Sequence, residues 1–338
     1  MGTDLAAPPV IALTMGDVSG VGPELVALAL GRREDIAICR PLLIGSAKVL
    51  AERAEAVGAP VEFRTIAELN EARFEPGVVD LIDPFGASLD VPAVGQVDPA
   101  AGKLAVRCLK VAFELARDRR IAGVVGAPLN KEAFRRAGYD YIDEIALLSE
   151  FTSSEEPRLF GILRGMMTTN VTLHIPFKDV PSQITQANVE ASIEAMLAVL
   201  VKAGKSAPRV VVAALNPHNG EGGLMGSEEI DFIRPAVESK RAAGFDVTGP
   251  FSADMLFPMA LSSGIDGVVC MYHDQANIAR KFAGFAGSAS AFIGLPVPYA
   301  TTAHGTAFDL VGTGEADPSS FLTALRFVVD QSETGGDA

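Results

Sequence analysis

The amino-acid sequence predicts an α/β protein: helices cover both faces of a mostly parallel sheet, and the chain forms two α/β domains with a cleft between them. Three observations predict it. Apolar runs of strand length recur without polar alternation, as strands buried on both faces require. Stretches with apolar residues at every third and fourth position lie between these runs, as amphipathic helices require. The 338 residues exceed the roughly 250–300 that one hydrophobic core usually supports.

The strand-like runs are VIALTM (10–15), PLLIG (41–45), VVDLID (78–83), IAGVVG (121–126), NVTLHI (170–175), RVVVAAL (209–215) and GVVCMY (267–272). The helical patterns are clearest in GKLAVRCLKVAFELARDRR (102–120) and NVEASIEAMLAVLVKAG (188–204). The first run leads into GDVSGVGPEL (16–25), a glycine-bearing loop and helix start that includes Gly16 and Asp17. Backbone N–H groups there can approach an anion or a cofactor, but the spacing matches neither the dinucleotide fingerprint nor the P-loop, and a purely structural tight turn fits equally well. The run at 121–126 leads into GAPLNKEAF (126–134), with Asn130 and Lys131 at a helix start. A lone lysine is usually solvated, whereas one at the C-terminal end of a sheet strand can hold substrate or cofactor.

The four histidines all fall in such junctions: His174 closes NVTLHIPF, His218 lies in LNPHNGEGG, His273 in MYHDQ and His304 in HGTAFDLVGTG. One histidine on an apolar face is normally a satisfied core residue. Three at strand ends point to a shared divalent metal, because neutral imidazole is the commonest protein ligand for borderline metals. Pro217 and the glycines around His218 exclude a helix or central strand, so that imidazole is presented on an irregular loop. Asp274, beside His273, can orient a ligand or accept from one. Lys281 can serve as acid, base or carboxylate contact, and equally as a surface lysine. The HGTAFDLVGTG segment reads as a cofactor loop or a helix cap. A phosphoryl-transfer site is disfavoured because no Gly-Lys-Ser/Thr sequence occurs.

Composition narrows the function classes. Asp and Glu outnumber Lys and Arg by 42 to 28, a formal charge of −14, which argues against nucleic acid and anionic membranes as partners. The three cysteines show no Cys-x-x-Cys pair, so neither a disulfide framework nor a thiolate zinc site is indicated, and a cytoplasmic setting is expected. The N-terminal segment lacks the basic region and long apolar run of a signal peptide, and the tail QSETGGDA reads as frayed.

Taken in order, GDVSGVGPE, GAPLNK, TLHIPF, LNPHNGEGG with GSEE, MYHDQ followed by a lysine, GLP and HGTAFDLVGTGEADP resemble the 4-hydroxythreonine-4-phosphate dehydrogenase family of vitamin B6 synthesis along nearly the whole chain. The resemblance implies an isocitrate/isopropylmalate dehydrogenase-like fold and a homodimer. It also implies NAD or NADP as cofactor and one divalent metal per site on His174, His218 and His273. Three imidazoles lean toward zinc, with manganese, magnesium and cobalt also compatible. It makes Lys281 a substrate contact and places His304, Gly305 and Thr306 on the cofactor side with Gly16, Asp17 and Lys131. The expected domains are 1–130 with 296–338, carrying the cofactor loops, and 131–295, carrying the metal and substrate site and the dimer contacts. The implied reaction is oxidation of a small hydroxy acid with decarboxylation, and Lys281 and Asp274 are the candidate catalytic residues.

Departures from the family pattern cluster in the substrate pocket. Counting from Ala137-Gly138, the family's Gly-His-Thr-Glu becomes Asp143, Glu144, Ile145 and Ala146. Counting from GLP, an Asn becomes Ser290 and a phosphate-contacting Arg becomes Tyr299. A fork-shaped cation is lost and a carboxylate is added, so the expectation is an unphosphorylated or otherwise altered substrate. Three alternatives stand beside it: the family's phosphate ester with Arg164 as replacement cation, a cyclic cis-dihydrodiol carboxylate, and a non-catalytic metal- or metabolite-binding protein.

Overall fold

The computed structural model describes residues 7–59, 61–86, 89–141, 144–155, 157–284 and 286–332. Asp143, the first six residues and the tail from 333 onward lie outside them. The strands, in chain order, are β1 (Val10–Thr14), β2 (Arg40–Ile44), β3 (Glu62–Ile66), β4 (Val78–Ile82), β5 (Gly123–Gly126), β6 (Arg158–Leu163), β7 (Met166–Asn170), β8 (Val210–Ala213), β9 (Val247–Phe251), β10 (Gly267–Cys270), β11 (Ser288–Ile293) and β12 (Tyr299–Thr302). The chain divides into two compact units, Met1–Arg158 with Ala286–Ala338, and Leu159–Phe285.

In unit 1 the strand order is β3-β4-β2-β1-β5-β12-β11. All pairs are parallel except β11 with β12. Ile11, Ala12 and Leu13 have no exposed surface, which explains why this strand lacks polar alternation. The helix Pro99–Arg117 starts where Asp98 Oδ1 accepts from Ala100 N at 2.7 Å and Pro99 occupies the first turn. Its buried stripe, Ala101, Ala105, Cys108, Leu109, Ala112, Phe113 and Ala116, follows the three-four spacing read from the sequence. Burying Leu109 and Phe113 contributes about 1.5–3 kcal/mol each. Gly102 lets the helix Lys131–Arg136 approach closely, since a Cβ there would meet the Ala133 carbonyl at 2.6 Å.

Unit 2 has the order β6-β7-β10-β8-β9, parallel except β6 with β7. The helix Gln186–Lys202 is capped by Thr185 Oγ1, which accepts from Asn188 N at 3.2 Å, and buries Val189, Ile193, Met196, Leu197 and Leu200. Among the described residues no single helix is long and apolar enough to cross a membrane; the bent pair Phe177–Gln183 and Gln186–Lys202 comes near that composition.

Three expectations differ from the structure. The strand placed at 170–175 lies at Met166–Asn170, and His174 sits four residues beyond it on a loop. MMTTN is buried along its whole length, and its two threonines are satisfied across the sheet, with Thr169 Oγ1 donating to Leu159 O at 3.0 Å and Thr168 Oγ1 to Gly161 O at 3.4 Å. The strands β3, β6, β9, β11 and β12 are additions. β3 and β9 are edge strands, where charged residues and Pro250 are tolerated, and β11 and β12 are rich in small polar residues. The domain boundaries expected at 130 and 296 also shift. Residues 131–158 belong to unit 1 because their helices pack on Pro99–Arg117, and 286–295 belong there because β11 pairs with β12.

Gly126 on β5 makes room for the buried Tyr299 hydroxyl, which occupies the position a Cβ would take. Gly126→Ala is expected to destabilise the protein by about 1–3 kcal/mol through overpacking, read as a lower midpoint in guanidinium unfolding.

Candidate active site

Two imidazoles meet in unit 2. β7 and β10 are parallel neighbours with Asn170 paired to Cys270, so their chains leave the sheet at the same edge. The two exits are laced together: Val171 N donates to Cys270 O at 2.8 Å, and Thr172 donates to Met271 O from N at 3.1 Å and from Oγ1 at 2.9 Å. This lacing sets the rings of His174 and His273 at 4.9 Å between centroids, tilted by 56°. His273 opens the helix His273–Phe282, and its Nδ1 lies 2.7 Å from Asp274 Oδ1. A proton held on Nδ1 by that carboxylate leaves the Nε2 lone pair for a ligand. Gln275 was not singled out in the sequence, yet it pins this turn: Oε1 accepts from Met271 N and Nε2 donates to Ala214 O, both at 2.8 Å.

His218 follows β8, the next strand after β10 in the sheet. Residues 218–222 all have positive φ, including the non-glycines His218 (50°), Asn219 (58°) and Glu221 (45°). Such conformations cost about 1–2 kcal/mol per non-glycine residue and persist where surrounding structure enforces them. The buried Glu229 anchors the entry to this loop: its Oε1 accepts from Leu215 N at 2.8 Å and Asn216 N at 2.7 Å, while Oε2 accepts from Asn216 Nδ2 at 2.9 Å. Glu229 lies in the GSEE segment, but its role as the loop's anchor was not read from the sequence. Asp254, also missed, opens the helix Ala253–Ser262. Its carboxyl is held below the ordinary range chiefly by the Ser252 hydroxyl, with His218 among the smaller contributors.

The three proposed ligands therefore follow three consecutive strands, β7, β10 and β8, at their common C-terminal edge. The structure brings His174 and His273 together and leaves His218 on the adjoining loop. Among the described residues, no three His, Cys, Asp or Glu side chains gather closely enough to form a closed ligand set. The paired imidazoles, one with its tautomer fixed by Asp274, have donor chemistry that fits a divalent cation. Lys281 is exposed near the end of the same helix as His273.

In unit 1 the three glycine-bearing segments interlock. Asp17 N donates to Pro128 O at 2.9 Å and Val21 N to Thr306 O at 3.0 Å. Gly16 (φ 70°) and Gly20 permit this, since a Cβ on either would come within 2.6 Å of the Pro128 or Thr306 carbonyl oxygen. Asp17 is 1% exposed; its Oδ1 accepts from Ser19 N at 2.8 Å, while its Oδ2, Thr14 Oγ1 and Ser19 Oγ are buried without partners. Burial pushes the Asp17 carboxyl up to about 6, against the lowering effect of the Ser19 N–H. Three orphaned polar atoms at the end of β1 fit a cradle for a polar ligand such as a nicotinamide cofactor. His304 is half-buried, with Nδ1 2.9 Å from Gly305 O; Gly305 is exposed and Thr306 buried. Lys131 follows the N-cap Asn130 and lines an open cavity of about 510 Å³ with Glu132, Arg135, Asp140 and Tyr141.

The expected substrate pocket residues lie in unit 1. Tyr299 has no exposed surface. Its hydroxyl donates to Glu144 Oε1, and its ring stacks on Phe292 and meets Phe113 edge-on, with centroids at 5.4 Å and 5.7 Å. Burial, with the Glu144 charge adding to it, pushes the Tyr299 hydroxyl well above its ordinary value, so Tyr299 is a neutral donor. Tyr299 thus holds Glu144 in place and presents nothing to solvent itself. Ile145 and Ser290 are half-buried, the latter paired with Thr301 across β11 and β12. Arg164 sits in the β6–β7 turn of unit 2, where its Nη2 donates to Ala283 O at 3.0 Å at the end of the helix His273–Phe282.

Known proteins resemble this chain along nearly its full length. It is 40% identical over 319 residues to the D-threonate 4-phosphate dehydrogenase of Cupriavidus necator, covering 94% of this chain and 96% of that one. The crystal structure of a 4-hydroxythreonine-4-phosphate dehydrogenase from Burkholderia phymatum superposes with a TM-score of 0.77 at 40% identity, covering 96% of this chain and 98% of the other. A terephthalate 1,2-cis-dihydrodiol dehydrogenase from Burkholderia xenovorans LB400 gives 0.65 at 29% identity, again covering 96% and 98%. Fold and relatives together define a dehydrogenase, an oxidoreductase acting on a CH–OH group. The chain belongs to the pyridoxal phosphate biosynthetic protein PdxA family, whose model matches residues 37–328.

The raised Asp17 carboxyl makes a stability prediction. Below about pH 4 both folded and unfolded states hold the proton. Between the unfolded value of 3.8 and the folded value of about 6 the unfolded state ionises first, so stability falls as pH rises, and above pH 6 the full cost stands. Asp17→Asn keeps an acceptor for Ser19 N. It is expected to raise unfolding free energy at pH 8 by up to roughly 3 kcal/mol, with the gain vanishing near pH 4. Urea unfolding across that range checks it; a gain independent of pH would show that ionisation of Asp17 is not its source.

Proposed function

We propose that the protein oxidises a short-chain hydroxy acid with NAD or NADP, followed by loss of carbon dioxide, with a divalent cation held by His174, His218 and His273. The observation that carries this reading is the His174–His273 pair, set at one sheet edge with Asp274 fixing the tautomer, in a chain of a dehydrogenase family. The donor set favours zinc, with manganese, magnesium and cobalt compatible. When bound, the cation supplies Lewis-acid polarisation of the substrate hydroxyl, and the nicotinamide supplies the two-electron acceptor.

The chain's own residues supply the remaining functions. Oxidation takes a proton from the alcohol oxygen and a hydride from its carbon. Loss of carbon dioxide from the resulting β-keto acid then requires a proton at the carbon that bore it. Lys281 Nζ, exposed on the helix that begins at His273, carries these protons or holds the substrate carboxylate. Asp274 acts through His273 as a positioning residue. Asp17, Thr306 and His304, on interlocked loops, and Lys131 orient the cofactor.

The substrate is read as unphosphorylated. The Tyr299–Glu144 pair provides a carboxylate held by a neutral phenol, and a carboxylate repels a phosphate dianion. The relative named for a cis-dihydrodiol dehydrogenase supports substrates without phosphate in this scaffold. A second reading, a 4-phosphorylated hydroxy acid, is supported by the names of the relatives at 40% identity. A homodimer is supported by apolar side chains exposed on unit 2, Phe177 (71%), Leu224 (82%), Ile278 (68%) and Phe282 (93%). A cytoplasmic setting is supported by three buried free cysteines.

Two outcomes test this. Hydroxy-acid-dependent NAD(P)H formation should disappear with a chelator, and His218→Ala should lose bound metal and turnover together; an unchanged metal content in that variant removes His218 from the ligand set. Across a panel of hydroxy acids, kcat/KM for unphosphorylated substrates should exceed that for their 4-phosphates by about tenfold or more, and the reverse order favours the second reading.

A further inference from the structure

One residue before Lys281, the helix His273–Phe282 carries a cation in unusual surroundings. Arg280 is 7% exposed, and its Nε is buried without a hydrogen-bond partner. Burial lowers its pKa to about 10, offset only by Cys270, and no carboxylate among the described residues contributes. A guanidinium withdrawn from water without a counter-ion is costly to keep. The fold nevertheless makes space for it: on β6, a Cβ added to Gly161 would overlap the Arg280 guanidinium.

The sheet register shows what else faces this recess. Gly161 pairs with Thr168, Thr168 with Val268, and Asn170 with Cys270, so these side chains share one face of the sheet. That face is the one covered by the helix, since Val268 and Cys270 pack with Ala276 and Ala279. Asn170 is 8% exposed with Oδ1 buried and unpartnered, and Asn277, one turn before Arg280, is 9% exposed. A donor without an acceptor and an acceptor without a donor thus face one interlayer. A 2,3-dihydroxy acid, whose 3-hydroxyl is the one oxidised to the β-keto acid, supplies both complements, its carboxylate for the guanidinium and its 2-hydroxyl for the amide oxygen.

We infer that Arg280 is an oxyanion receptor that Gly161 makes possible, and that it captures the anionic end of the substrate. The carboxylate and a phosphoryl group share the required chemistry. The identity of the anion rests on the hydroxy-acid reading above, whereas anion binding itself does not.

The test compares wild type, Arg280→Leu, and Gly161→Ala, which keeps the arginine but evicts it from the recess. Thermal midpoints are measured without anion and with glycolate, acetate or inorganic phosphate. Wild type should be stabilised by an oxyanion and both variants should lose that shift. A larger effect of glycolate and acetate than of phosphate assigns the carboxylate end, with glycolate above acetate adding the hydroxyl contact to Asn170, and a larger effect of phosphate assigns the phosphoryl end. Without anion, Arg280→Leu should melt no lower than wild type, because an unpaired buried charge has been removed; a marked fall would show a structural arginine and overturn the proposal. Retention of the anion shift in Arg280→Leu, or its absence in wild type, overturns it as well. In turnover, Arg280→Leu should raise KM by about tenfold or more with kcat changed much less. Since the thermal shifts are read without turnover, failure of the receptor and failure of the dehydrogenase reading are distinguishable.

Discussion

Parallel strand pairing is the constraint on which the rest of this structure depends. Parallel neighbours leave a sheet at the same edge, so loops distant in sequence become neighbours without being near one another in the chain. In unit 2 this sets His174 beside His273, because β7 and β10 are paired residue for residue up to their last positions, and places His218 after the next strand along. In unit 1 the same rule brings the exits of β1 and β5 together, where Asp17 and Pro128 bond through the backbone. A sheet slipped by one residue would turn buried side chains outward and separate these pairs.

Much of the framework was legible because burial on both faces leaves a plain signature. VIALTM, IAGVVG and GVVCMY could hardly be other than central strands, and the Pro and Gly residues around His218 announced an irregular loop. What escaped was local polarity satisfied at long range. The threonines of MMTTN look like a loop until Leu159 O and Gly161 O accept from them. The family resemblance drew Tyr299 into the substrate pocket, and nothing in YATT reveals that Phe113, Phe292 and Glu144 enclose it. Arg280 and Lys281 look alike in ANIARKF; helix phase separates them, placing Ala276, Asn277 and Arg280 inward and Lys281 outward. That three-four stripe was present in the sequence and is the signal that would have found the arginine.

The site regions share an electrostatic habit, in that each keeps polar groups buried and incompletely matched. Asp17 has an oxygen without a donor, Arg280 a nitrogen without an acceptor, and Asn170 an oxygen without a donor. Such groups tax the folded state, and proteins retain them where a ligand completes the match. The strained backbone of residues 218–222 adds a conformational cost of the same kind, just beyond the loop entry that the carboxylate of Glu229 anchors at Leu215 and Asn216.

The overlap between a Cβ at position 161 and the Arg280 guanidinium also makes the two positions one unit of exchange. A side chain at 161 and the guanidinium in its present rotamer cannot share the same space, so what position 161 tolerates depends on what stands at 280. Their substitutions are coupled and do not add.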